Sequence, residues 1–168
     1  RLVVVPESVA GSPEDFHALL VAERVGVLTQ TPSAVGMLSP EGLESVALVL
    51  GGEGSAWSAG MDLKEYFREN EEKGLGAIRG AQREAYGWWD RLRWYQKPTI
   101  AMINGWCFGG GYGPLFSCDL AFAAQDAQFG LSEINWGILP GGGASKVASE
   151  LLSFRNAMYH SMMGENID

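Results

Sequence analysis

The sequence predicts an α/β domain. Short apolar, often β-branched runs, such as Ser45 to Leu50 and Thr99 to Ile103, alternate with longer stretches whose apolar residues recur every three or four positions. Glycine and proline clusters punctuate the boundaries between them. The composition is globular, with 46% hydrophobic and 19% charged residues in 168. That length suffices for one domain with a real core.

Leu2 to Val5 is a short apolar run and is expected to be a buried strand. Ser12-Pro13-Glu14-Asp15 is a helix start, with Ser as N-cap, Pro at N1 and acids in the first turn. The helix it opens carries Phe16, Leu19 and Leu20 on one face and ends near Arg24. Val25 to Thr29 reads as a second strand, Thr31 to Gly42 as turns, and Ser45 to Leu50 as a third strand stopped by Gly51-Gly52. Gly52 to Gly60 is expected to be a loop. Asp62 to about Lys73 predicts a helix with Lys64, Glu65, Arg68 and Glu69 outward, broken by Gly74 and Gly76.

A longer helix is expected from about Ala77 to Tyr95, because Ile78, Ala81, Ala85, Trp88, Leu92 and Tyr95 fall at spacings of three and four. Lys97-Pro98 ends it. Thr99 to Ile103 is a strand, Gly110 to Ser117 a short helix and Leu120 to Ala124 another strand. Two helices, Gly142 to Leu152 and Arg155 to Met163, close the chain. Trp88, Trp89 and Trp94 are read as packing residues.

The net charge of −8 argues against general binding to nucleic acid or anionic membrane. No apolar run reaches membrane-spanning length, and Leu2 to Val5 is too short for a signal-peptide core. Cys107 and Cys118 lack metal-ligand spacing; they read as buried, inert thiols, and their scarcity suggests a reducing cytoplasm. His17 sits on a surface helix, and His160 has no acidic or cysteine partner nearby in sequence, so it reads as structural. The chain begins without methionine and ends at what reads as a helix exit, so it is expected to be a fragment or processed product.

The chemistry gathers around Glu133, in the run Ala127 to Gly143. A lone carboxylate flanked by Leu131 and Ile134 is placed to have a raised pKa and to move protons. Two glycine-bearing loops precede it, Ser58-Ala59-Gly60-Met61-Asp62-Leu63 and Asn104 to Gly111. Loops that open helices can aim backbone N–H groups at a developing oxyanion. Together these features describe a site for enolate chemistry on an acyl thioester.

At Ala59-Gly60-Met61-Asp62-Leu63-Lys64-Glu65-Tyr66-Phe67, Lys97 to Gly111 and Phe129 to Gly137, the chain resembles the crotonase (enoyl-CoA hydratase/isomerase) superfamily. Met61, Tyr66, Trp106 and Trp136 bring it nearest to the hydroxycinnamoyl-CoA (feruloyl-CoA) hydratase-lyases. The resemblance spans roughly Val46 to Asp168 and implies a spiral of ββα units. It assigns an oxyanion hole to the N–H groups of Met61 and Gly110, proton transfer to Glu133, and phenol recognition to Tyr66. Gly60, Gly109, Gly113 and Trp136 are expected beside the substrate, and Lys64 and Arg68 could reach CoA phosphates. No metal or redox cofactor is implied, coenzyme A being part of the substrate. The family implies a homotrimer or hexamer.

Two departures stand out. Where classical hydratases carry a second glutamate, and the lyases resemble a serine, this chain has Gly113. A two-carboxylate hydration mechanism is therefore not available as such. Residues 1 to about 53 do not look like a crotonase N-terminus. Ser12 to Leu20 and Leu28 to Val35 instead resemble part of an adenylation domain of nonribosomal peptide synthetases, without its phosphate-loop or adenylate-binding signature. The chain thus divides into an atypical segment, 1–45, and a crotonase-like core, 46–168, whose C-terminal helices are expected to be absent. Contacts between the two parts are expected to be sparse.

The implied activity is hydration of feruloyl-CoA or 4-coumaroyl-CoA and cleavage to a hydroxybenzaldehyde and acetyl-CoA. An enoyl-CoA isomerase or decarboxylase on the same frame, and an inactive scaffold or interaction fragment, are the alternatives.

Overall fold

A computed structural model describes residues 2–168, save the side chains of Pro32, Ser33, Leu63, Glu65 and Phe67. The expected outward face of Glu65 lies outside that description. The elements run α1 (Glu7–Ala10), α2 (Pro13–Ala22), β1 (Val27–Gln30), α3 (Pro32–Gly36), β2 (Ala47–Gly51) and β3 (Ala56–Ser58). A π-helical stretch, Leu63–Arg68, leads into α4 (Glu69–Lys73) and the long α5 (Leu75–Arg93). Then come β4 (Thr99–Ile103), β5 (Trp106–Phe108), a 3-10 turn at Gly109–Gly111, α6 (Tyr112–Ser117), β6 (Leu120–Ala123) and β7 (Phe129–Gly130). A 3-10 turn at Ser132–Trp136, α7 (Ala144–Leu151) and α8 (Phe154–Met163) complete the chain.

Among the described residues the strands form two parallel sheets, one of four strands in the order β1-β2-β4-β6 and one of three in the order β3-β5-β7. The pairs β2–β3, β4–β5 and β6–β7 each put one strand in either sheet, and a helix comes after each pair. This repetition is the ββα spiral that the sequence implies. Short turns join the strands of a pair, so consecutive strands cannot lie parallel in one sheet and instead pass from sheet to sheet. The Trp57 indole N–H donates to the Leu50 carbonyl (2.8 Å) and ties β3 to β2 across the two layers. Leu50, Ala101, Cys107 and Leu131 are fully buried in the core.

Several expectations need correction. Leu2 to Val5 forms no strand: Leu2 and Val4 are 88% and 81% exposed, because the short run finds no sheet edge to join. Helix α1 comes next instead, and α3 lies within the expected turn region. The strands β3 and β5 fall inside the predicted glycine loops, and β7 was not anticipated. All are two or three residues long, too short to show a period. Trp94 is not a packing residue; it is 75% exposed at the C-terminal end of α5.

The N-terminal segment is not sparsely attached. Strand β1 pairs in parallel with β2 along its length, from Val27 opposite Ala47 to Gln30 opposite Leu50. Phe16, Leu20, Leu28 and Leu43 share one apolar core with Leu48, Leu50 and Leu92. The Tyr95 hydroxyl donates to the backbone carbonyls of Leu43 (2.7 Å) and Val46, closing the end of α5 over the junction. The physical reason is that β2 offers an unpaired edge, and an apolar α2–β1 unit has no cheaper way to bury its face.

Candidate active site

Strands β3, β5 and β7 are parallel neighbours, so their C-terminal ends lie side by side. Each strand runs into a loop that carries candidate site residues: Gly60-Met61 after β3, Gly109-Gly110 after β5, and Ser132-Glu133 after β7. The three loops converge on one cavity of about 290 Å³. Every residue picked out from the sequence as catalytic or substrate-binding lines it: Gly60, Met61, Tyr66, Gly109, Gly110, Gly113, Glu133 and Trp136. Among the described residues the cavity wall begins at Ala59, and the N-terminal segment contributes none of it.

The first two loops pack backbone to backbone. Gly60 has φ +91°, and a Cβ there would stand 2.7 Å from the Phe108 carbonyl oxygen and 3.2 Å from the Gly110 nitrogen. A Cβ on Gly110 would stand 3.1 Å from the Met61 nitrogen. The glycines therefore bring the Met61 and Gly110 N–H groups next to each other, which bulkier residues would forbid. Gly110 lies in the first turn of a 3-10 helix that runs into α6, where N–H groups have no partner within the helix. Such a pair of donors is suited to an oxyanion.

Glu133 enters from the third loop. Its Oε1 lies 3.3 Å from where a Gly109 Cβ would be, and its Oε2 is buried with no hydrogen-bond partner among the described residues. Burial holds its pKa above the ordinary carboxylate value, partly offset by a backbone hydrogen bond. Of the two apolar flanks, Leu131 is fully buried while Ile134 is 40% exposed, so only one of the two is the buried neighbour that the sequence implies.

Tyr66 stands on the π-helical stretch. The pKa of its hydroxyl is pushed up to about 12, first by burial and then by Tyr86, to which it is hydrogen-bonded. Tyr86, Gln82 and Trp89 reach the same cavity from α5 and were not singled out as site residues. The sequence signal was present, since Tyr86 and Trp89 lie three apart on one helical face, but packing explained it equally well. Trp136 is 65% exposed and Leu139 84%, which puts them at the cavity mouth. Lys64 and Arg68 are exposed and are not among the residues of the cavity wall.

The cysteines and histidines are not among the residues of the cavity wall, although Tyr112, the partner of His160, feels the charge of Glu133. Cys107 is fully buried, and burial pushes its thiol up to about 12; Cys118 is shifted alike, again mainly by burial. His160 is buried against the Tyr112 hydroxyl, and burial lowers its pKa. The His17 Nε2 meets the Glu41 carbonyl oxygen at 2.7 Å, inside the N-terminal segment. No cluster of three or more metal-ligating side chains occurs among the described residues.

Residues 42–168 match the model of the enoyl-CoA hydratase/isomerase family. The chain belongs to this family. It is 56% identical over 119 residues to hydroxycinnamoyl-CoA hydratase-lyase of Pseudomonas fluorescens, a match covering 70% of this chain and 43% of that protein. The crystal structure of an enoyl-CoA hydratase from Polaromonas sp. JS666 superposes with a TM-score of 0.72 at 25% identity, over 84% of this chain and 61% of that one. This family member therefore spans under half the length of its hydratase-lyase relative. A relative of another kind is the isonitrile lipopeptide synthase of Mycobacterium tuberculosis, 50% identical over 93 residues, or 52% of this chain and 4% of that protein. Among the described residues no helix is long and apolar enough to cross a membrane.

Proposed function

We propose that this chain carries the catalytic centre of an acyl-CoA hydratase-lyase, acting on a hydroxycinnamoyl thioester such as feruloyl-CoA or 4-coumaroyl-CoA. The observation that carries this reading is the convergence of three loops from one sheet end, which brings Glu133, with its unpartnered Oε2, to the same cavity as the Met61 and Gly110 donors. Likeness to a hydroxycinnamoyl-CoA hydratase-lyase supports the substrate class.

The thioester oxygen would accept hydrogen bonds from Met61 and Gly110. Water adds to the β-carbon while the α-carbon is protonated. In the second stage Glu133 removes the β-hydroxyl proton, and the bond between the α- and β-carbons breaks to release the aldehyde. Its electrons pass into the thioester as an enolate, whose oxygen the same two N–H groups hold. Protonation of the α-carbon then gives acetyl-CoA. Two adjacent backbone donors would supply the electrostatic stabilisation of that enolate. The phenol end of the acyl group would meet the hydroxyls of Tyr66 and Tyr86.

A second reading has a specific observation behind it. Gly113 offers no second acid, and the Trp89 indole occupies the space its side chain would need. A single proton shuttle at Glu133 also suits an enoyl-CoA isomerase, or a decarboxylase. The test is to incubate the purified chain with feruloyl-CoA and with a 3-enoyl-CoA. Aldehyde and acetyl-CoA in equal amounts support the lyase; a shifted alkene supports the isomerase. Thioester binding without turnover of either would leave a scaffold. A cytoplasmic location and a homo-oligomeric assembly belong to the same reading, as does the division at residue 45.

A further inference from the structure

We infer that Trp89 is the residue that sets how long an acyl group this site accepts. The inference rests on the acyl-CoA reading above. Tyr86, Trp89, Gly113 and Gly142 line the 290 Å³ cavity, and the same four line a second cavity of about 60 Å³. They form the partition between the two. Trp89 is the largest of the four, and its indole is the group that meets both glycines. A Cβ on Gly113 would stand 2.3 Å from its indole, and one on Gly142 would stand 2.2 Å away. The ring is seated between two glycine backbones, 5.2 Å from the Tyr86 ring, and is 8% exposed.

The direction of the substrate follows from exposure. Trp136 and Leu139 lie open to solvent on one side of the main cavity, and Trp89 is buried. The CoA moiety, large and charged, has to stay on the solvent side. The acyl group passes Glu133 and the paired N–H groups and points toward the indole. Beyond Trp89, the second cavity offers Phe116 and the buried Val147 as apolar walls, with Ser117 and the exposed Asp90 and Arg93 at its outer side. Removing the indole would join the two spaces and leave room for more methylene groups. Ordinary core packing explains why Trp89 is buried. It does not explain a partition whose loss would lengthen a substrate channel.

The experiment measures dissociation constants for saturated acyl-CoA thioesters of four to ten carbons, with the wild type, Trp89→Phe and Trp89→Ala. Circular dichroism checks the fold of each variant. The wild type binds best the thioesters of about six to eight carbons, the reach of a hydroxycinnamoyl group, and its affinity falls at ten. Trp89→Ala moves the optimum to longer chains, tightening the ten-carbon thioester by about tenfold or more, the scale of apolar pocket discrimination. Trp89→Phe lies between. A folded Trp89→Ala or Trp89→Phe with an unchanged chain-length profile overturns the inference. So does a wild type that holds ten carbons as tightly as eight, a measurement that needs no variant to fold. Failure of the wild type to bind any acyl-CoA removes the acyl-CoA reading and this inference with it. Binding with an unshifted profile removes only the role of Trp89.

Discussion

The indole of Trp89 stands where a side chain on residue 113 would have to go, 2.3 Å from the position of a Gly113 Cβ. Helix α5 supplies the ring and α6 the glycine, so the packing of two helices decides what chemistry the α6 side of the cavity can offer.

The first prediction concerns that contact. From the sequence, restoring a serine at position 113 is expected to raise lyase activity by ordering water near Glu133. The geometry reverses this. Gly113→Ser forces the indole or the α6 backbone to move, at a cost of about 1–3 kcal/mol for an overpacked core. Thermal unfolding should show a lowered Tm, and aldehyde release should not rise. Gly113→Ser combined with Trp89→Phe should recover part of the lost stability. A single Gly113→Ser variant as stable as wild type would mean that the two residues are not in conflict.

Glu133→Gln tests the proton shuttle. Gln keeps the shape but cannot transfer a proton, so turnover should fall by at least ~10²-fold with acyl-CoA affinity retained. The same variant tests the buried carboxylate through stability. Burial raises the folded-state pKa of Glu133 above its ordinary value of 4.5. Below that value the group is protonated in both states and its contribution is fully present. As pH rises through the folded pKa, the native state binds more protons than the unfolded state, and stability falls. The glutamine variant lacks this loss. Tm measured from pH 4 upward should therefore diverge in favour of Glu133→Gln. Parallel curves would show that the carboxylate is not desolvated.

Tyr66→Phe separates phenol recognition from packing. The hydroxyl is half-buried and hydrogen-bonded to Tyr86, so its loss leaves Tyr86 one partner short. A neutral hydrogen bond contributes about 0.5–1.5 kcal/mol, which predicts a rise of roughly threefold to tenfold in KM for a phenolic thioester. The unsubstituted cinnamoyl thioester should be little affected. Equal effects on both substrates would assign Tyr66 to packing.

Hydrogen exchange tests how firmly the first part of the chain is joined to the rest. The β1 amides that bond to β2 should exchange nearly as slowly as those of β4, whereas the outward-facing amides of β1, the edge strand, should exchange fast. Val3 to Val5, outside any element, should exchange fast. Tyr95→Phe should lower β1 protection selectively, since two backbone carbonyls at Leu43 and Val46 lose their donor, at a cost of about 1–3 kcal/mol if they stay dry. Fast exchange across all of 2–45 in the unaltered protein would restore the picture of a loosely held segment.

Much of this was legible along the chain. The cap at Ser12, with its side chain accepting from the Asp15 N–H, starts α2 where the Ser-Pro-Glu-Asp run places it. Strand β4 has the predicted limits, because Pro98 and the turn at Asn104-Gly105 bound an apolar run on both sides. Glu133 and the two glycine loops were picked out from residue type, order and family resemblance, and the structure brings them to one cavity. Residue order thus carries the local rules: which segments are helices, where the chain turns, and which side chains are candidates for chemistry.

How those pieces meet was a matter of packing in three dimensions. Strands β3, β5 and β7 are too short to announce themselves, since two or three residues show no period and gain stability only when paired. Yet their side-by-side ends bring residues 60, 110 and 133 to one cavity. The role of Trp89 was hidden for a related reason. A tryptophan on an apolar helical face reads as core, and whether it fills a core or divides a cavity depends on two glycines far from it in the chain, Gly113 and Gly142. Likewise, nothing local to Val27–Gln30 foretold its partner. The unpaired edge of β2 drew it in, since backbone pairing and apolar burial depend on the groups across the gap and not on those adjoining along the chain.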